Sequence, residues 1–343
     1  MKKLFLILPL LCLSIAAYAA YTVRLKLPSD LDGAMLYLYT GTYKEGKSPI
    51  DPLTVVDSTA VFTGEIPYAT TAVVRADGSN VATLFLENDT VDIEVTREII
   101  PGGVATYWKP LSGKLNSARR VMWEKLREIR EKYAAAPNDS VKEILKQEYS
   151  AVYLKALEDN ADNVFGAELA IDLKRGRDYF EAHPALMQLD NVKEYLARQE
   201  EAEKISPGKP FRDFTVTYNG TTHRLSDVVG KGDYVLLDFW AAWCAPCIRS
   251  MAHLKELHEK YGKRNFRILG VPINDDPENT LYAVEELSLP WEIWPGKDNV
   301  EAYKAYMIEG IPHAVLFTPD GTILLNKPST AALDAKLFEI FGK

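Results

Sequence analysis

The chain has 343 residues, of which 47% are apolar and 26% charged, and its formal net charge is −8. This length exceeds what one hydrophobic core usually serves, so we expect two or three domains. The acidic balance, with no concentrated basic run, argues against nucleic acid as a partner.

The first twenty residues have the pattern of a secretory signal. Lys2 and Lys3 precede an apolar run that ends in small residues at Ala17 and Ala19. We predict a cleaved signal peptide over 1–20 and a periplasmic location. The alternative is an uncleaved membrane anchor, for which the apolar run is short.

Region 21–100 is rich in short runs that alternate apolar and polar residues, such as "TVRLKL" and "TVDIEV". Asp32-Gly33 and Asp77-Gly78 separate these runs as turn signals. The pattern predicts an N-terminal antiparallel β domain.

Region 101–206 has a different period. Pro101-Gly102-Gly103 is interpreted as a linker, after which apolar residues recur at about 3.6 positions. We predict a helical middle region, with a second helix beginning after Asn138-Asp139-Ser140. Its charged faces are interpreted as solvated surface, with a partner-binding helix as the alternative.

Region 207–343 alternates strands and helices. Asn219-Gly220 predicts a hairpin, and "YVLLDFW" has the pattern of a buried strand that leads into the motif "AAWCAPC". The alternation predicts an α/β domain, a central sheet with helices on both faces.

Cys244 and Cys247 are the only cysteines outside the predicted signal peptide. A bridge across two residues constrains little chain, so a purely structural disulfide is disfavoured. A zinc site would need two more ligands from histidines or carboxylates, and we predict no metal and no cofactor. At a strand–helix junction, the helix N-terminus would stabilise the Cys244 thiolate as an exposed nucleophile, and Cys247 would resolve the mixed disulfide.

The segments "VLLDFWAAWCAPC" and "GIPHAVLFTPDG" resemble the thioredoxin-fold domain of secreted TlpA/ResA-like thiol-disulfide oxidoreductases. The resemblance covers about 207–343. More loosely, 21–100 resembles an uncharacterised small β domain that precedes such domains in secreted bacterial proteins, and this part implies no activity.

The resemblance implies roles for further residues. Trp243 would lie beside the thiol, and a cis Pro312 would present the backbone of Ile311 to an extended substrate. Asp238 matches the buried acid of cytosolic thioredoxins, with a satisfied strand-end carboxylate as the alternative. The strand "ILGVPI" offers no lysine to pair with it, so desolvation should raise the pKa of Asp238 and suit it to proton transfer.

Several positions depart from related patterns. Ser250 and Ala252 stand where TlpA/ResA-like proteins often have glutamate and proline, so a glutamate proton shuttle is absent. Ala241 and Leu237 stand where a peroxiredoxin needs a hydroxyl residue and a proline, which argues against peroxidase activity. His313 follows Pro312 and is either a buried strand histidine or, if protonated near the motif, a group that favours the Cys244 thiolate.

Together these features predict a periplasmic thiol-disulfide oxidoreductase. We expect it to act mostly as a reductant of disulfide-containing protein substrates, with electrons from a membrane thiol donor. The alternatives are an oxidase or isomerase of the same fold, or a partner-binding protein whose redox domain is regulatory.

Overall fold

The computed structural model describes residues 19–41, 49–297 and 299–342. Nearly all of the predicted signal peptide lies outside these residues. The chain divides into two compact units, Met1–Leu196 and Ala197–Lys343. Among the helices of the described ranges, none has the length and hydropathy needed to cross a bilayer.

In its described residues, the N-terminal unit has eight strands before its α-helices. They are β1 Ala19–Lys26, β2 Met35–Thr40, β3 Ile50–Thr54, β4 Thr59–Ile66, β5 Thr70–Ala76, β6 Ser79–Leu86, β7 Thr90–Ile100 and β8 Gly103–Pro110. They form two four-stranded sheets with the orders β4-β1-β7-β8 and β3-β2-β5-β6. Alternate side chains from both sheets, such as Val23, Leu36 and Val74, form one buried core.

The predicted β domain is confirmed, and its pairs are antiparallel except for β1 and β7, which run parallel. The interpretation of Pro101–Gly103 as a linker is wrong. Residues 101 and 102 form the turn of a hairpin in which β8 pairs with Ile93–Ile100 of β7. Proline and glycine end a strand equally well before a turn or a linker, so the local pattern could not distinguish the two.

Five helices follow: α1 Lys114–Ala134, α2 Asp139–Asp159, α3 Val164–Asp172, α4 Arg177–Ala182 and α5 Asp190–Glu203. The Asn138 side chain accepts the Val141 N–H at 3.0 Å and so caps α2. Leu115, Met122 and Leu126 of α1 are buried in a core shared with the other helices. The predicted helical region is confirmed, although it begins after β8.

The described residues of the C-terminal unit form seven strands and four α-helices. The strands are β9 Thr215–Tyr218, β10 Thr221–Arg224, β11 Tyr234–Trp240, β12 Phe266–Pro272, β13 Glu292–Ile293, β14 His313–Phe317 and β15 Ile323–Asn326. The helices are α6 Ala245–Tyr261, α7 Pro277–Glu286, α8 Val300–Ala305 and α9 Thr330–Phe341. β9 and β10 form the predicted hairpin, and the other strands form a sheet in the order β13-β12-β11-β14-β15.

The five-stranded sheet is covered on both faces. Leu236 and Trp240 of β11 pack into a core with residues of α6 and α9. Leu237 and Phe239 point to the opposite face and pack with residues of α8 and β9. β11, β12 and β13 are parallel, and β14 and β15 are antiparallel to their neighbours. This arrangement confirms the predicted α/β thioredoxin-like architecture.

Candidate active site

The two cysteines lie where the central strand β11 gives way to helix α6. Cys244 is the N-cap residue, Pro246 lies in the first turn, and a disulfide joins Cys244 to Cys247. The Cys247 N–H points at the Cys244 sulfur, with 3.2 Å between N and Sγ. Proline fits this first turn because the N–H that it lacks would have no partner inside the helix. The junction therefore places a sulfur at the positive end of the helix dipole.

Cys244 is less accessible than the sequence suggested. The residue is 4% exposed, compared with 0% for Cys247. The Ile311 carbonyl oxygen, in the loop just before β14, lies 3.7 Å from the Cys244 sulfur and covers the sulfur on that side. Cys244 is still the more accessible of the pair.

The segment before β14 contains the predicted cis peptide. The Ile311–Pro312 bond is cis, which confirms the expectation for this bond. Within the described part of the chain, the Ile311 N–H has no hydrogen-bond partner, and the Ile311 carbonyl oxygen lies 3.7 Å from the Cys244 sulfur. The backbone of Ile311 is thus available for pairing beside the sulfur.

Asp238 is a buried acid on the same face of the sheet as Cys247. Side chains alternate along β11, and Leu236 and Trp240 belong to the same buried cluster as Cys247. Asp238 is 3% exposed, and its Oδ2 has no hydrogen-bond partner among the described residues. Burial raises the pKa of this carboxyl to about 7.

The strand beside Asp238 supplies no cation to it. Its register partner on β12 is Gly270. The one basic residue of β12, Arg267, is directed to the acidic groups of Asp233 and Glu292. The pKa of the Asp238 carboxyl is thus raised by burial, as predicted.

Trp243 stands at the open side of the motif and is 63% exposed. Its indole N–H donates to the Asn274 carbonyl at 2.9 Å, which fixes the ring although most of it faces solvent. The ring borders a groove of about 500 Å³ that also includes Tyr282 of α7. Fixed and exposed, Trp243 offers an apolar surface next to Cys244.

Comparisons with known proteins agree with this geometry. Residues 207–325 match the AhpC/TSA family, and residues 21–103 match a domain of unknown function, DUF4369. The thiol-disulfide oxidoreductase ResA of Geobacillus kaustophilus is 32% identical over 124 residues, which cover 36% of this chain and 70% of the relative. The chain belongs to the ResA-like thiol-disulfide oxidoreductases.

Other similar proteins carry the same description. ResA of Bacillus anthracis is 31% identical over 129 residues, covering 36% of this chain and 69% of the relative. A solved thioredoxin domain of a thiol-disulfide oxidoreductase from Bacteroides vulgatus is 28% identical, covers 39% of this chain and 97% of its own, and has a TM-score of 0.36. A thiol-disulfide oxidoreductase from Bacteroides fragilis is 32% identical, with 39% and 100% covered and a TM-score of 0.35.

Asp275 is a buried residue beside this ResA-like site that sequence reasoning missed. Its buried carboxylate accepts the Ala242 N–H at 2.7 Å and the Thr280 hydroxyl at 3.1 Å. It thereby ties the loop before Cys244 to the start of α7. The position of Asp275 in the sequence could have indicated this contact. Asp275 follows β12, and the carboxyl ends of the parallel strands β11 and β12 lie at the same edge of the sheet.

Ser250 and His313 do not extend the site. The Ser250 hydroxyl donates to the Cys247 carbonyl at 2.7 Å, an ordinary contact within the helix. His313 pairs in register with Phe239 and packs near its ring, on the face opposite Cys247. Its Nε2 lies 2.8 Å from Asn326 Oδ1, and burial lowers the pKa of the imidazole. The structure supports the interpretation of His313 as a buried strand histidine.

Proposed function

We propose that this thiol-disulfide oxidoreductase acts in the periplasm as a reductant of protein disulfides. The observation that carries the proposal is the Cys244–Cys247 pair at the N-terminus of α6, with the unpartnered acid Asp238 on the same face of the sheet. This set contains a nucleophile, a resolving thiol and a proton acceptor.

The reaction begins with the reduced pair. The Cys244 thiolate attacks one sulfur of a substrate disulfide, forms a mixed disulfide and releases the other substrate sulfur as a thiolate. Cys247 then loses its proton, attacks the Cys244 sulfur and releases the second substrate thiolate. The substrate gains two electrons, and the pair is left as the disulfide seen in the structure.

The contacts of the Cys244 sulfur favour the reductive direction. A thiol-disulfide oxidoreductase that is a strong oxidant has a strongly stabilised cysteine thiolate in its reduced form. Here one backbone N–H, that of Cys247, points at Sγ, while the Ile311 carbonyl oxygen faces it from 3.7 Å. The carbonyl dipole opposes negative charge on the sulfur, so stabilisation of the thiolate is moderate.

Asp238 is suited to the second step. With a pKa of about 7, the carboxyl exists in both protonation states near neutral pH. The carboxylate can take the proton of Cys247 as that thiol attacks, and the acid can return a proton to a departing thiolate. Because no hydrogen bond occupies Oδ2 among the described residues, this proton transfer breaks no existing contact.

Substrate binding would use the backbone of Ile311 and the ring of Trp243. An extended substrate segment can pair with the free Ile311 N–H while its apolar residues contact the exposed indole. The substrates are therefore protein segments with an accessible disulfide in an extended stretch.

The periplasmic location rests on the signal pattern of residues 1–20 and is tested separately. A membrane thiol donor would return two electrons to the oxidised pair from outside the cytoplasm. Mass spectrometry of the protein from a periplasmic fraction should show an N-terminus at Ala20 or Tyr21. A full-length protein in the membrane fraction would contradict this location.

The direction of electron flow is tested by the reduction potential of the Cys244–Cys247 pair. Equilibration with glutathione buffers should give a value near that of thioredoxin, about −270 mV, and far from the roughly −120 mV of the oxidant DsbA. A potential near the oxidant's value would overturn the reductant proposal. In parallel, a Cys247→Ser variant should retain substrates as mixed disulfides, and a Cys244→Ser variant, the matched control, should retain none.

A further inference from the structure

A groove of about 1000 Å³ lies in the N-terminal unit between strand β8 and helix α1. We call it the β8–α1 groove. Its walls include the basic and aromatic residues Lys109, Arg120, Arg127, Arg130, Trp108 and Trp123. The proposed redox reaction makes no use of these residues.

The helix wall presents an ordered row of side chains. Arg120, Trp123, Arg127 and Arg130 are spaced three, four and three residues apart, so they lie on one face of α1. The Arg130 guanidinium lies 5.9 Å from the Trp123 ring centroid. The row runs for about 15 Å at 1.5 Å per residue. It therefore offers positive charge along a line and not at a single point.

The groove carries net positive charge on an acidic protein. Five basic and two acidic residues line it, whereas the whole chain has a formal net charge of −8. Both acids already have partners: Glu124 lies 3.2 Å from Arg120, and Glu168 lies 3.3 Å from Arg119. Of the other cations, Arg127 lies 4.0 Å from Glu131 with both side chains largely exposed, and Lys109 pairs in register with Glu94. Exposed pairs of this kind are weak, so an anionic ligand can still be attracted to Arg127, Lys109 and Arg130.

The wall of the groove that β8 forms is the edge of its sheet and not one of the sheet's faces. Tyr107, Trp108 and Lys109 are consecutive and all line the groove. Since successive side chains of a strand point to opposite faces, a groove that touches all three must run along the strand's side. β8 is the last strand of its sheet, and in the described ranges it pairs with β7 alone. Its outer N–H and C=O groups therefore have no strand partner there, and β6 and α1 lie close to the same strand.

The floor of the groove is rigid. Arg119 is 8% exposed, donates to the Thr83 carbonyl at 2.7 Å and lies 4.3 Å from the Phe85 ring centroid. These contacts fix α1 against β6. The groove is therefore formed before any ligand arrives, which lowers the entropic cost of binding.

We propose that the β8–α1 groove binds an acidic, extended polypeptide segment as an additional strand on β8. Its backbone would pair with the outer edge of β8, and its carboxylates would contact Arg127, Arg130 and Lys109. A row of about 15 Å matches five or six extended residues at roughly 3.3 Å each. Trp108 and Trp123, which are 40% and 39% exposed, would cover the apolar side chains between the acids.

The proposal does not depend on the proposed function, because the binding measurement involves no redox turnover. The probe is a fluorescein-labelled peptide of alternating glutamate and valine, eight residues long, added to the full mature chain with its disulfide intact. A lysine–valine peptide tests charge. The glutamate–valine peptide with N-methyl groups on alternate residues tests strand pairing, since it keeps the charge and removes the N–H donors.

Fluorescence anisotropy should show binding of the glutamate–valine peptide. Affinity should fall by about tenfold or more in the double variant Arg127→Glu and Arg130→Glu, because two attractive contacts become repulsive. The matched control is Lys142→Glu with Lys146→Glu on α2, which makes the same change in net charge elsewhere in the same unit. Hydrogen–deuterium exchange of 103–110 should slow when the peptide is bound.

Four results would overturn the proposal. They are absence of binding, equal binding of the N-methylated peptide, equal weakening in the α2 control, or tighter binding of a sulfated oligosaccharide than of the peptide. The third would mean that net charge alone attracts the probe, and the fourth would assign the groove to a polysaccharide.

Discussion

The two faces of the five-stranded sheet each carry one buried titratable side chain, and the two residues lie on neighbouring strands. Asp238 of β11 faces the cysteine helix, and His313 of β14 faces the opposite core. They are 3% and 6% exposed, and burial shifts both pKa values toward the neutral form, upward for the acid and downward for the base.

Each residue leaves one buried polar atom without a partner among the described residues, Asp238 Oδ2 and His313 Nδ1. The difference lies in their other neighbours. His313 has the Asn326 amide oxygen 2.8 Å from its Nε2, and the Asn326 amide in turn donates to the Ile205 carbonyl at 2.9 Å. Asp238 Oδ2 has no such partner in the part of the chain that the structure describes, and it shares its face with Cys247. Similar burial therefore produces a structural histidine on one face and a candidate proton acceptor on the other.

The largest expected effect comes from replacing Cys244, the proposed nucleophile on the cysteine face. Cys244→Ser should abolish reduction of insulin disulfides by the protein, because an alkoxide does not form at neutral pH as a thiolate does. The measurement is the turbidity of precipitating insulin chains with a chemical thiol as electron source. Full activity in this variant would contradict the redox assignment.

The buried acid should make stability depend on pH. A carboxyl with a raised pKa of about 7 holds its proton in the folded state, while the unfolded chain releases it near pH 4. The unfolded state therefore binds fewer protons between these values, and stability falls as pH rises from about 4 to 7.

The matched variant Asp238→Asn has no such proton. Between pH 5 and pH 8, wild type should lose roughly 2 to 3 kcal/mol of unfolding free energy relative to Asp238→Asn. Urea unfolding of both proteins, with the disulfide intact and followed by tryptophan fluorescence, measures this difference. Parallel pH dependence of the two proteins would show that the carboxyl is ionised in the folded state.

The same variant should slow one chemical step. Asp238→Asn keeps the shape and removes the proton acceptor, so resolution of the mixed disulfide should slow by roughly 10 to 100 fold near neutral pH. Attack by Cys244 should change less, because the helix N-terminus activates that thiol. Rapid mixing with a model disulfide from pH 6 to 9 separates the steps, and equal resolution rates would leave Asp238 with a structural role.

The cysteine face was the more predictable one, because its chemistry lies in a contiguous motif. The strand–motif–helix order, the desolvated Asp238 and the cis Pro312 all followed from local sequence and the resemblance that it carried. The face of His313 depends on the pairing register of β14 with β11, and a shift of one residue would reverse it. No local pattern in one sequence specifies that register.

Long-range contacts were missed for the same reason. Asp275 lies 33 positions from Ala242, whose N–H it accepts, and the two meet because β11 and β12 are parallel neighbours. The parallel pairing of β1 with β7 and the hairpin that includes β8 likewise depend on partners distant in sequence or on an ambiguous turn signal. Local patterns specify elements, and tertiary pairing decides which residues meet.

A smaller effect is expected from a change at Asp275, which holds the loop before Cys244 through the Ala242 N–H. Asp275→Asn removes the charge from the acceptor of the Ala242 N–H and should slow attack by Cys244 by roughly three- to tenfold through misplacement of the loop. Asp276→Asn is the matched control, because Asp276 caps α7 through the Glu278 N–H. Equal rates in the two variants would assign Asp275 to α7 stability alone. A positioning role also predicts that the Trp243 fluorescence changes in Asp275→Asn and not in the control.

The smallest effect is expected on the opposite face. His313→Gln and His313→Ala should leave the pKa of the Cys244 thiol unchanged, because the imidazole points away from the cysteine helix and is neutral near pH 7. Titration of the thiolate by ultraviolet absorbance in wild type and both variants measures this pKa. A raised thiol pKa in both variants would mean that His313 acts on the sulfur through the sheet, and the distinction between the two faces would fail.

The stability of the protein should depend on His313 instead. Because burial lowers the pKa of His313 in the folded state, the unfolded chain takes up a proton more readily. The free energy of unfolding of wild type should therefore decrease as pH falls below about 6.5, and that of the glutamine variant should decrease less.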